Sequence, residues 1–330
     1  MTRMKLGSLI CMCATALFLI PVASSEAGTW VLRLGHNNAI THPLNMGAEQ
    51  FAKRVKERTN GQVTIQVFPA AQLGDERALG EGLRVGTIDL MWGVSSMVGQ
   101  FAPEFNGLEA GYLFRDRDHQ TKVHHGPIGD ELNQRLIQKI GVRVLAFHFA
   151  GERHLTTSTK AVRRPEDLKG MLIRVPQLEG SMQSFKALGA SVTGIAFNEV
   201  YMALKMGLAE GQENPLVSIY AMKFHEVQKY LSMTAHILSN GIVVMNNQKY
   251  LSMPPEVQKA LLEEARAAGE YTGNLYAKQG DELIPELKKF LTFIEVNKTE
   301  FQQTSQRGGM DEWYTKQFGA ELYKRIRETK

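Results

Sequence analysis

Lys169-Gly170-Met171-Leu172-Ile173-Arg174-Val175-Pro176 and, further along, Gly211-Gln212-Glu213-Asn214-Pro215 are the two ends of the stretch whose reading decides the fold. The first is a short apolar strand with an arginine near its end. Pro176, with a fixed φ and no backbone N–H, takes the chain out of the sheet just beyond it. Arg174 therefore stands at the carboxyl end of a strand. In open α/β sheets that edge is where ligands bind, and a guanidinium there suits a carboxylate, which it grips through two parallel hydrogen bonds. A salt bridge within the chain explains the same residue as well. The second end reads as an amide-rich turn stiffened by Pro215.

Outward from this stretch the pattern is that of an α/β protein. Val31 to Gly35 alternates like a strand, and Pro43 opens a helix with Leu44, Ala48, Phe51, Ala52 and Val55 on one face. Asn60-Gly61 turns the chain into a strand at Val63–Phe68. A helix beginning near Gln72 carries Leu79 and Leu83 inward, and Ile88 to Trp92 form a third strand. The order βαβα predicts a largely parallel sheet covered by helices. One long helix is expected over 119–139, followed by a strand from Val142 to Phe149 that leads to Gly151 and Arg153. A second domain then runs through Arg174, the strand at Ser191-Val192 and a helix from Phe197 to about Met206, and Gly241 to Met245 return to the first sheet. From Pro255, Val257, Leu261, Ala265, Ala268, Thr272 and Leu275 follow helical spacing with no proline before Pro285. The remainder, with Trp313, Phe318, Leu322 and Ile326, reads as helices packed outside. Expected domains are 28–150 with 239–278, and 151–238 with 279–330, with a ligand cleft between them.

The amino terminus stands apart. Arg3 and Lys5 precede an apolar run from Leu6 to Val22, then small residues with Ser25-Glu26-Ala27 as a cleavage motif. This predicts a secretory signal peptide over 1–27 and a periplasmic protein. Both cysteines, Cys11 and Cys13, fall within it, so the mature chain is expected to have no disulfide and no thiol nucleophile. The net charge of +4 over 330 residues is too mild to argue for nucleic acid.

Arg153 in Gly151-Glu152-Arg153-His154-Leu155-Thr156-Thr157-Ser158, the run around Arg174, Gly189-Ala190-Ser191-Val192-Thr193, Phe197-Asn198-Glu199-Val200-Tyr201, Gly211 to Pro215, and Lys223-Phe224-His225-Glu226-Val227-Gln228-Lys229-Tyr230 occur in that order. Together they resemble the DctP family, the substrate-binding proteins of tripartite ATP-independent periplasmic (TRAP) transporters, from about Trp30 to the last helices. The resemblance implies a two-domain periplasmic binding protein fold, a long helix bridging the domains, and delivery of an organic acid to a membrane permease by a monomeric carrier. It also implies roles: Arg174 salt-bridges the ligand carboxylate, Arg153 supports it, and Asn214 donates to it. The sialic-acid-binding members look nearest. They carry an acidic residue and an arginine where this chain has Val94 and Met97, which implies a smaller or flatter acid, such as a sugar acid.

Catalytic chemistry is not evident. There is no Gly-x-Ser-x-Gly elbow, the segment His225 to Lys229 lacks the second histidine of a zinc helix, and Gly80-Glu81-Gly82 falls in a helical pattern rather than after a strand. No catalytic residue, metal or cofactor is therefore expected. The chain offers fixed donors instead. Arg153, Arg174 and Asn214 are expected to converge on one crevice, the two arginines lacking counter-ions until a carboxylate arrives. Asn37, Glu76, Trp92, His148, Gln177 and Phe197 fall at strand ends or helix starts on the same side, where each also suits a core or capping role. A periplasmic enzyme acting on organic acids and a ligand sensor presenting its closed form to a receptor are the competing functions.

Overall fold

The computed structural model describes residues 29–330; the expected signal peptide and its cleavage motif lie outside them. The strands are β1 (Trp30–Gly35), β2 (Val63–Phe68), β3 (Leu90–Val94), β4 (Val142–Thr157), β5 (Leu172–Val175), β6 (Ser191–Gly194), β7 (Gly211–Pro215), β8 (Tyr230–Asn246) and β9 (Thr292–Ile294). They form one mixed sheet in the order β2-β1-β3-β8-β4-β7-β5-β6, with β9 paired to β8. At one end β1 lies parallel to β2 and β3; at the other β5 lies parallel to β6 and β7.

The two sheets expected from the sequence are thus halves of one. β4 and β8, 16 and 17 residues long, run antiparallel through both halves. The strand that opens at Val142 does not stop at Gly151; it bends there. The register shifts between Phe149 and Glu152 and again between Arg153 and Leu155, and such bulges bend and twist a ribbon. Gly151 sits at φ +95°, and a Cβ on it would lie 2.7 Å from Pro215, so only glycine fits.

Each half carries an apolar cluster on each face. Leu32, Leu34, Phe51, Val63, Trp92 and Val243 fill one, while Leu79, Phe105, Leu132, Val144 and Ile242 fill the opposite face of the same half. In the other half, Leu155, Ile173, Val175, Phe185 and Phe301 cover one face, with Val200, Ile219, Phe224 and Leu231 on the other. The helix Pro255–Leu287 enters at Val257, Leu261 and Ala265 in the first half and ends at Leu287 in the second, so it spans both. Trp313, Phe318, Leu322 and Ile326 are buried in the first half's cluster with Leu79 and Phe105.

Four local expectations are corrected. The helix expected over 119–139 is two helices, Arg117–His125 and Pro127–Ile140, because Pro127 takes the first position of a new helix, where its missing N–H costs nothing. Gly211 to Pro215 form strand β7 rather than a turn, buried between β4 and β5. The bridging helix has 33 residues and passes through Pro285, which lies in its last turn, where one lost hydrogen bond does little harm. The segment from His225 to Lys229, whose residues also suit an exposed helix surface, is instead a short 3-10 turn at Phe224–Glu226 with Phe224, His225 and Gln228 buried.

Candidate ligand-binding site

The sheet brings the first of the two quoted runs against the second. β5 and β7 pair with Arg174 opposite Gln212, and β7 pairs with β4 so that Asn214 lies opposite His154. Beside them, loops from the amino-terminal half close a cavity of about 50 Å³ whose wall includes Asn37, Glu76, Arg153, Phe197, Asn214 and Tyr276. Five of the nine sequence candidates meet there. Gln177 lines an adjoining recess of about 350 Å³, which shares Glu76, Met97 and Leu178 with the cavity.

Arg174 is fully buried and does not itself line this cavity, so of the three donors expected to converge only Arg153 and Asn214 reach its wall. Its Nε donates to the Ile195 carbonyl at 2.9 Å and Nη2 donates to the same oxygen, while Nη1 has no hydrogen-bond partner. No carboxylate among the described residues lies within salt-bridge distance of it. Desolvation pulls its pKa down to about 10, against the attraction of Glu76 and Glu213.

Arg153 differs from expectation. It is buried, but Nε lies 2.5 Å from Glu213 Oε2 and Nη2 lies 2.8 Å from Oε1, so its counter-ion is built in. Glu109 approaches its Nη1 at 3.9 Å. Burial alone would push the Glu213 carboxyl up, but the Arg153 charge and the His236 hydrogen bond hold it at about 2. Burial raises Glu109 to about 7, although Ser239 and the Asn240 backbone N–H both donate to it. Neither glutamate carries a sequence signal as a partner, since each is distant in the chain.

Asn214 is locked. Its Oδ1 accepts from Arg153 at 3.2 Å, and one amide N–H donates to Gln212 Oε1 at 2.6 Å, with Gln212 in turn donating to Thr156. Its second N–H is left for the cavity. Glu76, at the start of the helix that Asp75 caps, is buried and its pKa is raised by desolvation.

Trp92 and His148 are not brought to the cavity. The indole Nε1 donates to His148 Nε2 at 2.8 Å, and His148 Nδ1 bonds the Phe149 carbonyl at 2.9 Å. Trp92 is wholly buried against Phe51, and His148 faces a separate groove of about 700 Å³ between β4 and the bridging helix. Missed by sequence reasoning were Ser218, Ser239 and Tyr276, which also line the cavity; the only available signal was that Ser218 follows Asn214-Pro215 by one turn.

A mixed sheet in two halves, tied by two long strands and one helix around a cavity of fixed donors, is the architecture of a solute-binding protein. The family model for bacterial extracellular solute-binding proteins, family 7 (DctP), matches residues 34–320, and the chain belongs to this family. It is 35% identical over 277 residues to the 2,3-diketo-L-gulonate-binding periplasmic protein of Escherichia coli, covering 83% of this chain and 84% of that one. A TRAP periplasmic solute-binding protein from Polaromonas bound to D-erythronate superposes with a TM-score of 0.86 at 29% identity, covering 91% of this chain and 99% of that one. One from Roseobacter denitrificans with bound L-galactonate gives 0.84 at 30% identity, with 92% and 99% covered.

Proposed function

We propose that this protein captures a sugar acid in the cavity beside Arg174 and delivers it unchanged to a TRAP membrane permease, as an exported, monomeric periplasmic carrier. The observation that carries the reading is Arg174: a buried cation with one nitrogen unbonded and, among the described residues, no carboxylate within salt-bridge distance, on the strand that pairs with β7, which bears Asn214. Such a cation is costly unless an anion joins it, and a carboxylate matches the guanidinium fork. The diketogulonate, erythronate and galactonate of the similar proteins are acids of this kind.

Closure belongs to the same reading. A cavity of about 50 Å³ is far too small for a six-carbon acid. The ligand enters by parting the two lobes about the bends of β4 and β8 and along the bridging helix; the bounds expected from the sequence shift in one respect, since the helices from Met310 onward pack in the first lobe's cluster and move with it rather than with 151–238. Calorimetric titration with L-galactonate, D-erythronate, D-galacturonate, 2,3-diketo-L-gulonate and succinate tests it, with mass spectrometry of the recovered acid. Binding of at least one sugar acid without turnover is expected. Binding of none, or protein-dependent conversion, overturns it.

A further inference from the structure

We propose that Ser218 reads the oxygen on the carbon next to the ligand carboxylate, so that the protein selects 2-hydroxy or 2-keto acids over acids lacking that oxygen. This rests on the reading that an acid binds beside Asn214 and takes that reading one atom further.

His42 is fully buried ahead of the helix Pro43–Arg58, and its Nδ1 accepts from the Leu44 N–H at 3.2 Å. A neutral imidazole that accepts at Nδ1 carries its proton on Nε2. That nitrogen lies 3.0 Å from Ser218 Oγ and therefore donates to it. The ring edge packs on Tyr276 with centroids 5.4 Å apart, which fixes its direction. Burial lowers the His42 pKa to about 3, so the ring stays neutral and the tautomer holds across the physiological range.

With its lone pair taken by His42, the Ser218 hydroxyl has its own proton to give. Among the described residues it donates to none, and the side chain lines the cavity one turn beyond Asn214. A carboxylate held by the Asn214 amide puts its neighbouring carbon within that turn's reach. The donor is also assembled only on closure, because His42 comes from the amino-terminal half of the sheet and Ser218 from the other. A site that bonds a substrate oxygen rejects the analogue lacking it more strongly than an apolar pocket rejects a missing methylene.

The test titrates wild type and Ser218→Ala with matched pairs: D-erythronate against 3,4-dihydroxybutanoate, and L-galactonate against its 2-deoxy counterpart. Wild type is expected to prefer the 2-oxygenated member by roughly tenfold or more, the cost of one unmade buried hydrogen bond. Ser218→Ala is expected to bring the ratio near one while its apo melting temperature stays close to wild type. Nitrogen-15 NMR of the His42 imidazole should show the Nε2–H tautomer. A ratio near one in wild type, an unchanged ratio in Ser218→Ala, or an Nδ1–H tautomer overturns the role of Ser218 while leaving acid binding intact. Failure of wild type to bind either member of both pairs, or any acid of the wider panel, overturns the reading beneath it.

Discussion

Arg153 and Glu213 face each other across β4 and β7 as a buried, two-pronged ion pair, Nε to Oε2 at 2.5 Å and Nη2 to Oε1 at 2.8 Å. Arg174, two strands away from Arg153 in the sheet order, has no such partner among the described residues. Two arginines that look alike in the sequence thus differ in their surroundings: one has a buried counter-ion, the other has a nitrogen left unbonded.

Arg174→Met removes a buried, uncompensated cation. Apo stability is expected to stay level or rise, because replacing a buried charge by an apolar side chain of similar length relieves its desolvation. Binding of the acid is expected to weaken by at least roughly thirtyfold, from the loss of about 2–5 kcal/mol when one member of a buried charge pair is truncated. Melting curves and calorimetric titration of the same preparation check both halves. Near-normal affinity in a folded variant would sink the anchor role.

Glu213→Gln should act in the other direction. It keeps the shape but strips Arg153 of its partner, and breaking a buried pair this way costs about 3–5 kcal/mol. The apo melting temperature is expected to fall by several degrees, with acid affinity held or increased because Arg153 is left more positive. A variant as stable as wild type would show that Glu109, 3.9 Å from Arg153, is counter-ion enough.

Stability should decline on acidification well before the carboxylates titrate. Burial depresses His36 and His148 to about 4 and His42, His124 and His154 to about 3, each from 6.5. Between these values the unfolded chain binds protons the folded one refuses, so the stability these rings contribute above pH 6.5 is lost as pH falls through 6.5 toward 3. Glu109, raised to about 7, and Glu76, also raised by burial, oppose this, since their contribution falls as pH rises above 4.5, but the lowered histidines, His119 and His236 among them, outnumber them. Thermal melts from pH 7.5 to 4 should slope downward throughout. Its own depressed ring removed, His124→Phe should flatten that slope; an unchanged slope would remove this histidine from the account.

Ligand should compact the protein. Small-angle scattering with saturating acid is expected to give a smaller radius of gyration than without it, as the lobes close about the β4 and β8 bends. An identical radius at saturation proven by calorimetry would argue that the cavity opens by side-chain movement alone.

The amino-terminal βαβα order was readable because Leu44, Phe51 and Val55 repeat at helical spacing and the strands alternate. Of the motif residues, Arg153 and Asn214 line the cavity and Arg174 does not. Reading failed where tertiary pairing outweighs local preference. Gly211 to Pro215 carry poor strand formers, yet β4 and β5 hold them extended by supplying partners on both sides. Pro127 hides a helix start inside a continuous helical pattern. The counter-ion of Arg153 lies 60 residues away at Glu213, and nothing in local periodicity announces such a pairing. Trp92 and His148 lie inside β3 and β4 rather than at strand ends, and the indole N–H is taken up by the imidazole.

Because β4 and β8 pass unbroken from one half to the other, neither half owns a whole sheet. Cut the pair at its bend and each fragment is left with severed strands and a row of exposed backbone donors, the kind of edge that aggregates. The lobes are therefore not modules that recombination can trade between relatives to mix ligand preferences. What can vary on a frame inherited whole is the lining of the cavity, where Val94, Met97 and Ser218 stand.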